Sequence, residues 1–142
     1  MTHVRVLFLA VVGAAWATGA MADPCKAVPD HGPAPAVLLH QPFSGRVVYV
    51  GDGDSLCVAQ GPSHEDWIEV RLEDFYAPEL HGPGGPEAKD TLTRLVYGHT
   101  LTCQPRKQSY DRIVATCFDG GRSVGDMMRA AGVQEGGRGW GR

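Results

Sequence analysis

The sequence predicts a mainly β protein with helices (α+β), built on a five-stranded barrel with two packed helices. Two observations lead to this fold class. Strand-like and helix-like segments occur in the order three strands, helix, two strands, helix, which is the order of an OB-fold barrel, a fold that binds oligonucleotides and oligosaccharides. In addition, the segment WIEVRL alternates apolar and polar residues, as a half-buried strand requires.

The five predicted strands are short and are separated by turn residues. They are GRVVYV (45–50), SLCVA (55–59), WIEVRL (67–72), TLTC (100–103) and RIVATCF (112–118). The first two flank a GDGD turn and form a hairpin. The last two flank a polar loop that contains QPRKQ. The alternation of the third strand places Arg71 on the face opposite its aliphatic residues.

Each of the two predicted helices has recognisable ends. Pro86 lies near the start of the first helix and Gly98 follows its end. The second helix starts at Ser123, where Asp126 completes an S-x-x-D capping box, and it ends at Gly132.

The first 22 of the 142 residues have the features of a secretory signal peptide. Arg5 precedes an apolar run, and the A-M-A at 20–22 is a small-residue cleavage site. We expect a mature chain that begins at Asp23, is periplasmic or secreted, and has no membrane span. Removing Arg5 makes the formal charge of −3 one unit more negative. Proteins that bind nucleic acid by bulk attraction are normally basic, so phosphate binding here requires a local cluster of cations.

Composition divides the mature chain into three parts. Residues 23–44 are rich in Pro and Ala and are interpreted as an N-terminal arm or linker. Residues 45–133 contain all the predicted strands and helices. Residues 134–142 are Gly-rich, and we expect a flexible tail there.

All four cysteines lie in the exported part of the chain, and an even number in an oxidising compartment favours disulfides. Four cysteines allow three connectivities. Cys103 and Cys117 lie in the two strand-like runs on either side of the polar loop, which favours a bridge across that hairpin. Cys25 then pairs with Cys57 and ties the arm to the second strand.

Four short motifs follow one another through the domain. They are Asp52-Gly53-Asp54-Ser55, Arg71-Leu72 with Pro78-Glu79, Gly85-Pro86-Glu87-Ala88 and Tyr110-Asp111-Arg112. In this order, from about Gly45 to Val133, they resemble the motifs of the staphylococcal nuclease (thermonuclease) family. The resemblance implies an OB-fold nuclease that hydrolyses DNA or RNA with little base preference.

The resemblance also implies roles for individual residues. Arg71 and Arg112 would bind the phosphoryl oxygens, because each guanidinium presents a planar fork of donors to an anion. Glu79 would act as general base on the attacking water. Asp54 would be a ligand of Ca²⁺, and Tyr110 would lie beside the substrate.

Arg106 and Lys107 in QPRKQ are further candidates for contact with the nucleic-acid backbone. Each of these candidates also has a structural interpretation, as a turn residue, a solvated strand residue, a surface charge or a packing residue.

One position departs from the family pattern. Tyr76 stands where a second metal-binding Asp is expected, and a neutral phenol is a poor Ca²⁺ ligand. The backbone carbonyl of Ala77 remains available as a ligand, and Asp74 or Asp52 are alternative carboxylates. Because Ca²⁺ affinity depends on the number of charged ligands, we expect weakened binding.

Three functions follow from these observations. The first is an exported, metal-assisted, monomeric nuclease. The second is an OB-fold module that binds nucleic acid and is catalytically weak or inactive, which the tyrosine favours. The third is an exported barrel that binds a protein or glycan partner.

Overall fold

The computed structural model describes residues 23–137, so the predicted signal peptide (1–22) and the end of the tail (138–142) lie outside the described residues. The chain forms a closed five-stranded mixed β-barrel with helices packed on it, which confirms the predicted OB-type α+β fold. The strands are β1 (Phe43–Asp52), β2 (Ser55–Ala59), β3 (Trp67–Leu72), β4 (Thr100–Ser109), β5 (Arg112–Asp119) and a two-residue β6 (Arg122–Ser123). The helices are α1 (Val37–His40), α2 (Gly85–Val96) and α3 (Val124–Ala130), with a 3-10 turn at His64–Asp66.

The barrel closes through one parallel contact. The strands follow the order β3-β2-β1-β4-β5-β6, with neighbouring strands antiparallel. A further pairing between β3 and β5 is parallel and sets Arg71 beside Val114. This contact brings the strand that carries Arg71 next to the strand that begins at Arg112.

The predicted alternation of β3 is confirmed. Ile68, Val70 and Leu72 are buried in the barrel interior, at most 1% exposed, whereas Arg71 is only partly buried on the other face. The alternation follows from the two-residue period of a strand, which commits every second side chain to the core.

The turn between β1 and β2 is held by the side chain of Asp52. Its Oδ1 accepts hydrogen bonds from the backbone N of Asp54 at 3.0 Å and from Ser55 Oγ at 2.8 Å. A Cβ on Gly53 would lie 2.6 Å from Ala77 Cβ and 2.7 Å from Ala88 Cβ. The turn therefore packs directly against the start of α2, which explains the glycine.

Both predicted helices are present. Helix α2 buries Ala88, Leu92 and Val96 against the barrel, and α3 is capped by Ser123, whose Oγ accepts a hydrogen bond from Asp126 N at 3.1 Å. Within the described part of the chain, no helix has both the length and the apolar character needed to span a membrane.

The polar loop expected between the last two strands is a strand instead. Residues 104–108 belong to β4, which pairs with β5 up to Ser109, so the connection is only a tight turn at Tyr110 and Asp111. A register shift between Pro105 and Lys107 accommodates the proline, which has no N–H for the ladder.

The N-terminal arm packs onto the barrel and is not a loose linker. Its residues Val28, Ala34 and Leu38 are buried in the main hydrophobic core, and β1 begins at Phe43 rather than at residue 45. Gln108 holds the arm through its side-chain oxygen, which accepts from Ala34 N at 2.7 Å, and through its Nε2, which donates to Gly32 O at 2.9 Å.

Two disulfides link Cys25 to Cys57 and Cys103 to Cys117. The first ties the arm to β2. In the second, the two cysteines face each other in the register of β4 and β5.

The first residues of the predicted flexible tail are bonded to the rest of the domain. Gly136 N donates to Tyr76 O at 2.9 Å, and Glu135 Oε1 accepts from Tyr76 N at 3.1 Å. Glu135 also forms an ion pair with Arg129 of α3. Residues 134–137 are therefore paired with the segment that follows β3, an interaction that depends on tertiary contacts and not on local composition.

Candidate active site

The candidate site lies on the outer face of the barrel where β3, β5 and β4 run side by side. Val114 of β5 is the register partner of both Arg71 in β3 and Lys107 in β4. Register partners project from the same face of a sheet, so the two cations flank Val114. Arg112 lies two residues before Val114 and so projects from the same face.

Protein acceptors fix one end of the Arg71 guanidinium. Its Nη1 donates to Leu72 O at 2.9 Å and to Phe75 O at 3.1 Å. The same atom lies 2.7 Å from Asp54 Oδ2, and the Arg71 side chain is 17% exposed. Protein oxygens of Leu72, Phe75 and Asp54 therefore hold Nη1 of this arginine in place.

Asp54 is buried beside this arginine and is only 5% exposed. Its Oδ2 also accepts a hydrogen bond from Ala77 N at 2.7 Å, which joins the β1–β2 turn to the segment after β3. Burial raises the pKa of Asp54 to about 7, against the opposing effect of the positive charge on Arg71. The neighbouring Asp52 has a lowered pKa, because the hydrogen bonds it accepts from residues 54 and 55 outweigh the effect of burial, which is the largest single influence and acts in the opposite direction.

Tyr76 contacts Arg71 through its aromatic ring. Its ring lies under the Arg71 guanidinium, with the Arg71 Cζ atom 5.2 Å from the ring centroid. This is the distance of a cation–π contact. Its backbone is bonded on both sides to the tail at Glu135 and Gly136. The tyrosine therefore orients the arginine, where the resemblance implied a carboxylate ligand.

Glu79 is exposed at the surface directly after Pro78. Its backbone oxygen accepts from Gly82 N at 2.8 Å, which forms a tight turn leading to α2. Gly85 is required at the end of this turn, because a Cβ there would collide with the backbone oxygens of Glu79 and Leu80. The glutamate is thus presented by a short, backbone-bonded turn.

Tyr110 occupies the turn between β4 and β5 and is 84% exposed. Its φ of 57° lies in the left-handed region, which is unfavourable for a residue other than glycine. The side chain of Gln108 donates to Tyr110 O at 2.7 Å and holds the turn in this conformation. The turn therefore presents an exposed aromatic ring close to Arg112, the first residue of β5.

The two basic residues of QPRKQ are placed differently. Lys107 is exposed in the row with Val114 and Arg71. Arg106 forms an ion pair with Glu73, which follows β3. The structure therefore brings Lys107 to the candidate face and commits Arg106 to a carboxylate.

Sequence reasoning missed Glu69, which lies on β3 two residues before Arg71 and on the same face. Its carboxylate and those of Asp23 and Asp111 have oxygen atoms within 4.8 Å of one another. Burial raises the pKa of Glu69 to about 8, with further contributions from Asp23 and Asp111 and an opposing effect of Arg112. The alternation of WIEVRL placed Glu69 beside Arg71, but the proximity of the other two carboxylates is visible only in the fold.

The residues around Asp54 offer few free oxygens to a Ca²⁺ ion, which takes six to eight oxygen ligands. Asp54 Oδ2 is already bonded to Arg71 and Ala77, the ring of Tyr76 lies against the arginine, and the carbonyl of Ala77 faces Gly137 of the tail. Asp74, an alternative carboxylate, lies against Gly125 of α3. The residues present therefore do not build the two-carboxylate site that the resemblance implies.

Comparison with known proteins gives two partial matches. The chain is 36% identical over 75 residues to a protein of Haemophilus influenzae named "Uncharacterized endonuclease". It is 32% identical over 81 residues to an "Uncharacterized 38.1 kDa protein" of Capnoides sempervirens. These matches cover 51% and 54% of this chain, but only 40% and 24% of the two relatives. No family model matches the chain.

Proposed function

We propose that the protein is an exported nuclease of the staphylococcal nuclease type, which hydrolyses phosphodiester bonds of DNA or RNA with low sequence specificity. The observation that carries the proposal is the placement of Arg71, which is fixed by protein acceptors through Nη1 and flanks Val114 opposite Lys107. The similarity to a protein named an endonuclease supports the same reaction class.

The chemistry of a phosphodiester explains why these residue types suit the reaction. Attack of water builds negative charge on the phosphoryl oxygens, and the donor forks of Arg71 and Arg112 would stabilise that charge. Glu79 would accept a proton from the attacking water as the bond to the leaving oxygen breaks. Tyr110 would stack on a base, and Lys107 would contact a neighbouring phosphate, with neither of them reading base edges. Arg106 would join them only if its ion pair with Glu73 opened.

We propose weakened Ca²⁺ binding, with Asp54 as the carboxylate ligand. When bound, such a cation would supply positive charge next to the phosphate. The side chains named above carry the steps of the reaction described here. The family's second carboxylate is replaced by Tyr76, so tight binding is not part of the proposal.

Export of the chain as a monomer is also proposed. The signal-peptide features of residues 1–22 and two disulfides are typical of a protein that folds in an oxidising compartment. N-terminal analysis of the exported protein and its mass in solution test both points.

A non-catalytic nucleic-acid-binding module is the second candidate. Arg71 forms an ion pair with Asp54 and contacts the ring of Tyr76. These contacts favour the second candidate, because they occupy the arginine and the carboxylate that catalysis would need. Such a module would bind nucleic acid on the same barrel face without hydrolysis.

One assay separates the two candidates. Oxidised protein is incubated with single-stranded DNA in Ca²⁺, Mg²⁺, Mn²⁺ or EDTA, and both cleavage and binding are followed. For the nuclease, Arg71→Lys lowers cleavage roughly 10²-fold or more, because a lysine lacks the fork. The matched change Arg94→Lys on the exposed side of α2 has no effect. Binding without cleavage, weakened by Arg71→Lys and by salt, would establish the module instead.

A further inference from the structure

The start of the mature chain is anchored beside the candidate site. Cys25 is bonded to Cys57 of β2, Lys26 N donates to His64 O at 2.9 Å, and Ala27 N donates to Trp67 O at 3.0 Å. Asp23 is held in turn by its carboxylate, whose Oδ1 accepts from Cys25 N at 2.9 Å. The position of Asp23 is therefore determined by contacts of residues 23–27.

Asp23 lies in a cluster in which the acidic groups outnumber the basic ones. Its carboxylate oxygens lie within 4.8 Å of those of Glu69 on β3 and Asp111 in the β4–β5 turn. Asp52 adds a fourth negative charge that acts on Glu69, and Arg112 is the positive group that opposes them. Carboxylates this close, and partly buried, repel one another unless a further cation joins them.

The predicted cleavage site supplies that cation. Cleavage after Ala22 adds water across the Ala22–Asp23 peptide bond, so that the carboxylate leaves with the signal peptide and the amine stays on Asp23. The free amine takes up a proton at neutral pH, since its ordinary pKa is about 7.7–8.0. The nitrogen is only three bonds from the carboxyl carbon of Asp23, so the new charge arises next to one member of the cluster.

We propose that removal of the signal peptide creates a built-in counter-ion: the α-ammonium group of Asp23 pairs with Glu69 and Asp111 beside Arg112. An uncleaved chain has a neutral peptide nitrogen at this place and leaves Arg112 as the positive group that opposes the carboxylates. In the mature chain, Arg112 no longer balances the whole cluster. That consequence for Arg112 matters only if the proposed nuclease site is correct, whereas the ion pair depends solely on cleavage before Asp23.

The pairing makes stability depend on the exact first residue. A paired α-ammonium has a higher pKa in the folded than in the unfolded chain. Its stabilisation is therefore fully present below about 7.7–8.0 and is lost as the pH rises through the folded value. The pairing shifts the pKa of Glu69 in the opposite direction. This pKa is about 8 without the ammonium partner, and the positive charge of the ammonium lowers it.

Two forms of the oxidised protein test the inference, one beginning at Asp23 and one retaining Ala22 as a single extra residue. The extra residue keeps the total charge but moves the ammonium one Cα step, 3.8 Å, along the chain. The α-amino pKa is measured by NMR titration, and melting temperature is measured against pH. We expect a pKa above the ordinary range for the Asp23 form, nearer that range for the Ala22 form, and a higher melting temperature for the Asp23 form at neutral pH that disappears in alkali.

Glu69→Gln in the Asp23 form should lower the α-amino pKa, and Asp111→Asn provides the same test if the first variant does not fold. Equal α-amino pKa values in the two forms, or values insensitive to both substitutions, would overturn the inference. An exported protein whose N-terminal residue is not Asp23 would overturn it as well. None of these measurements uses nuclease activity, so failure of the proposed function leaves their outcome unchanged.

Discussion

At the residue level, Arg71 contacts both Asp54 and Tyr76, so the three side chains form one cluster. Asp54 Oδ2 lies 2.7 Å from Arg71 Nη1, and the ring of Tyr76 lies against the same guanidinium. Since the pKa of Asp54 is raised to about 7, a large fraction of this carboxylate is protonated at neutral pH. A metal ligand must be deprotonated, so both the proton and the arginine compete with a cation here.

Restoring a carboxylate at position 76 tests this interpretation. We expect Tyr76→Asp to increase Ca²⁺ affinity roughly 10-fold or more, because it adds a charged ligand. Calorimetric titration or the rise of melting temperature with added Ca²⁺ measures the effect. Tyr76→Asn removes the same ring without adding charge and should give no increase. Equal responses of the two variants would show that charge at this position does not govern binding.

The pH dependence of stability tests the burial of Asp54. Its folded pKa of about 7 lies well above the ordinary value of an Asp carboxyl, so between these two values the folded state retains a proton that the unfolded state has lost. The free energy of unfolding therefore falls as pH rises from about 4 to about 7. We expect Asp54→Asn to reduce this fall, while the contribution of Glu69, which has the same sign, remains in both proteins. Urea unfolding at several pH values measures the free energy of unfolding of both proteins. An equal decrease with pH in the two proteins would show that Asp54 does not cause it.

At the scale of elements, β4 connects the arm to the candidate site. The side-chain oxygen of Gln108 accepts a hydrogen bond from Ala34 N. Its Nε2 donates hydrogen bonds to Gly32 O and to Tyr110 O in the strained turn. A single side chain therefore positions both the arm and the exposed tyrosine.

Removing this side chain should loosen both. We expect Gln108→Ala to lower the free energy of unfolding by about 1–2 kcal/mol, since Ala34 N and Gly32 O lose their partner. Urea denaturation measures the change. Gln104→Ala on the same strand is a matched control, because Gln104 is exposed. A similar loss of unfolding free energy in the two variants would mean that the hydrogen bonds from Gln108 to the arm do not contribute to stability.

Elements with a strong local pattern could be predicted from sequence, and those fixed by tertiary contacts could not. The alternation of β3 and the Ser123 cap of α3 are local properties, and both are present. The strand over 104–108 was missed because Pro105 and two cations obscure its pattern, while the barrel supplies the pairing with β5. The docked arm and the bonded start of the tail likewise depend on partners distant in sequence.

At the scale of the whole molecule, a net negative chain presents a local row of cations. The formal charge of −3 gives no general attraction for nucleic acid. The β4–β5 hairpin brings Lys107 and Arg112 together, and Arg71 joins them because β3 and β5 pair in parallel, an arrangement that the linear order of strands does not state. The motifs indicated which residues to consider, but the ion pair of Asp54, the ring of Tyr76 on Arg71 and the cluster around Glu69 required the closed barrel.

We propose that this barrel face hydrolyses phosphodiesters with Glu79 as the base. The most direct measurement is the rate of single-stranded DNA cleavage by the oxidised protein and by Glu79→Gln, at equal Ca²⁺ and pH. We predict cleavage by the unsubstituted protein and a loss of roughly 10²–10⁴-fold in the variant, the usual contribution of a general base. Equal rates in the two proteins, or no cleavage by either with retained binding, would contradict the claim.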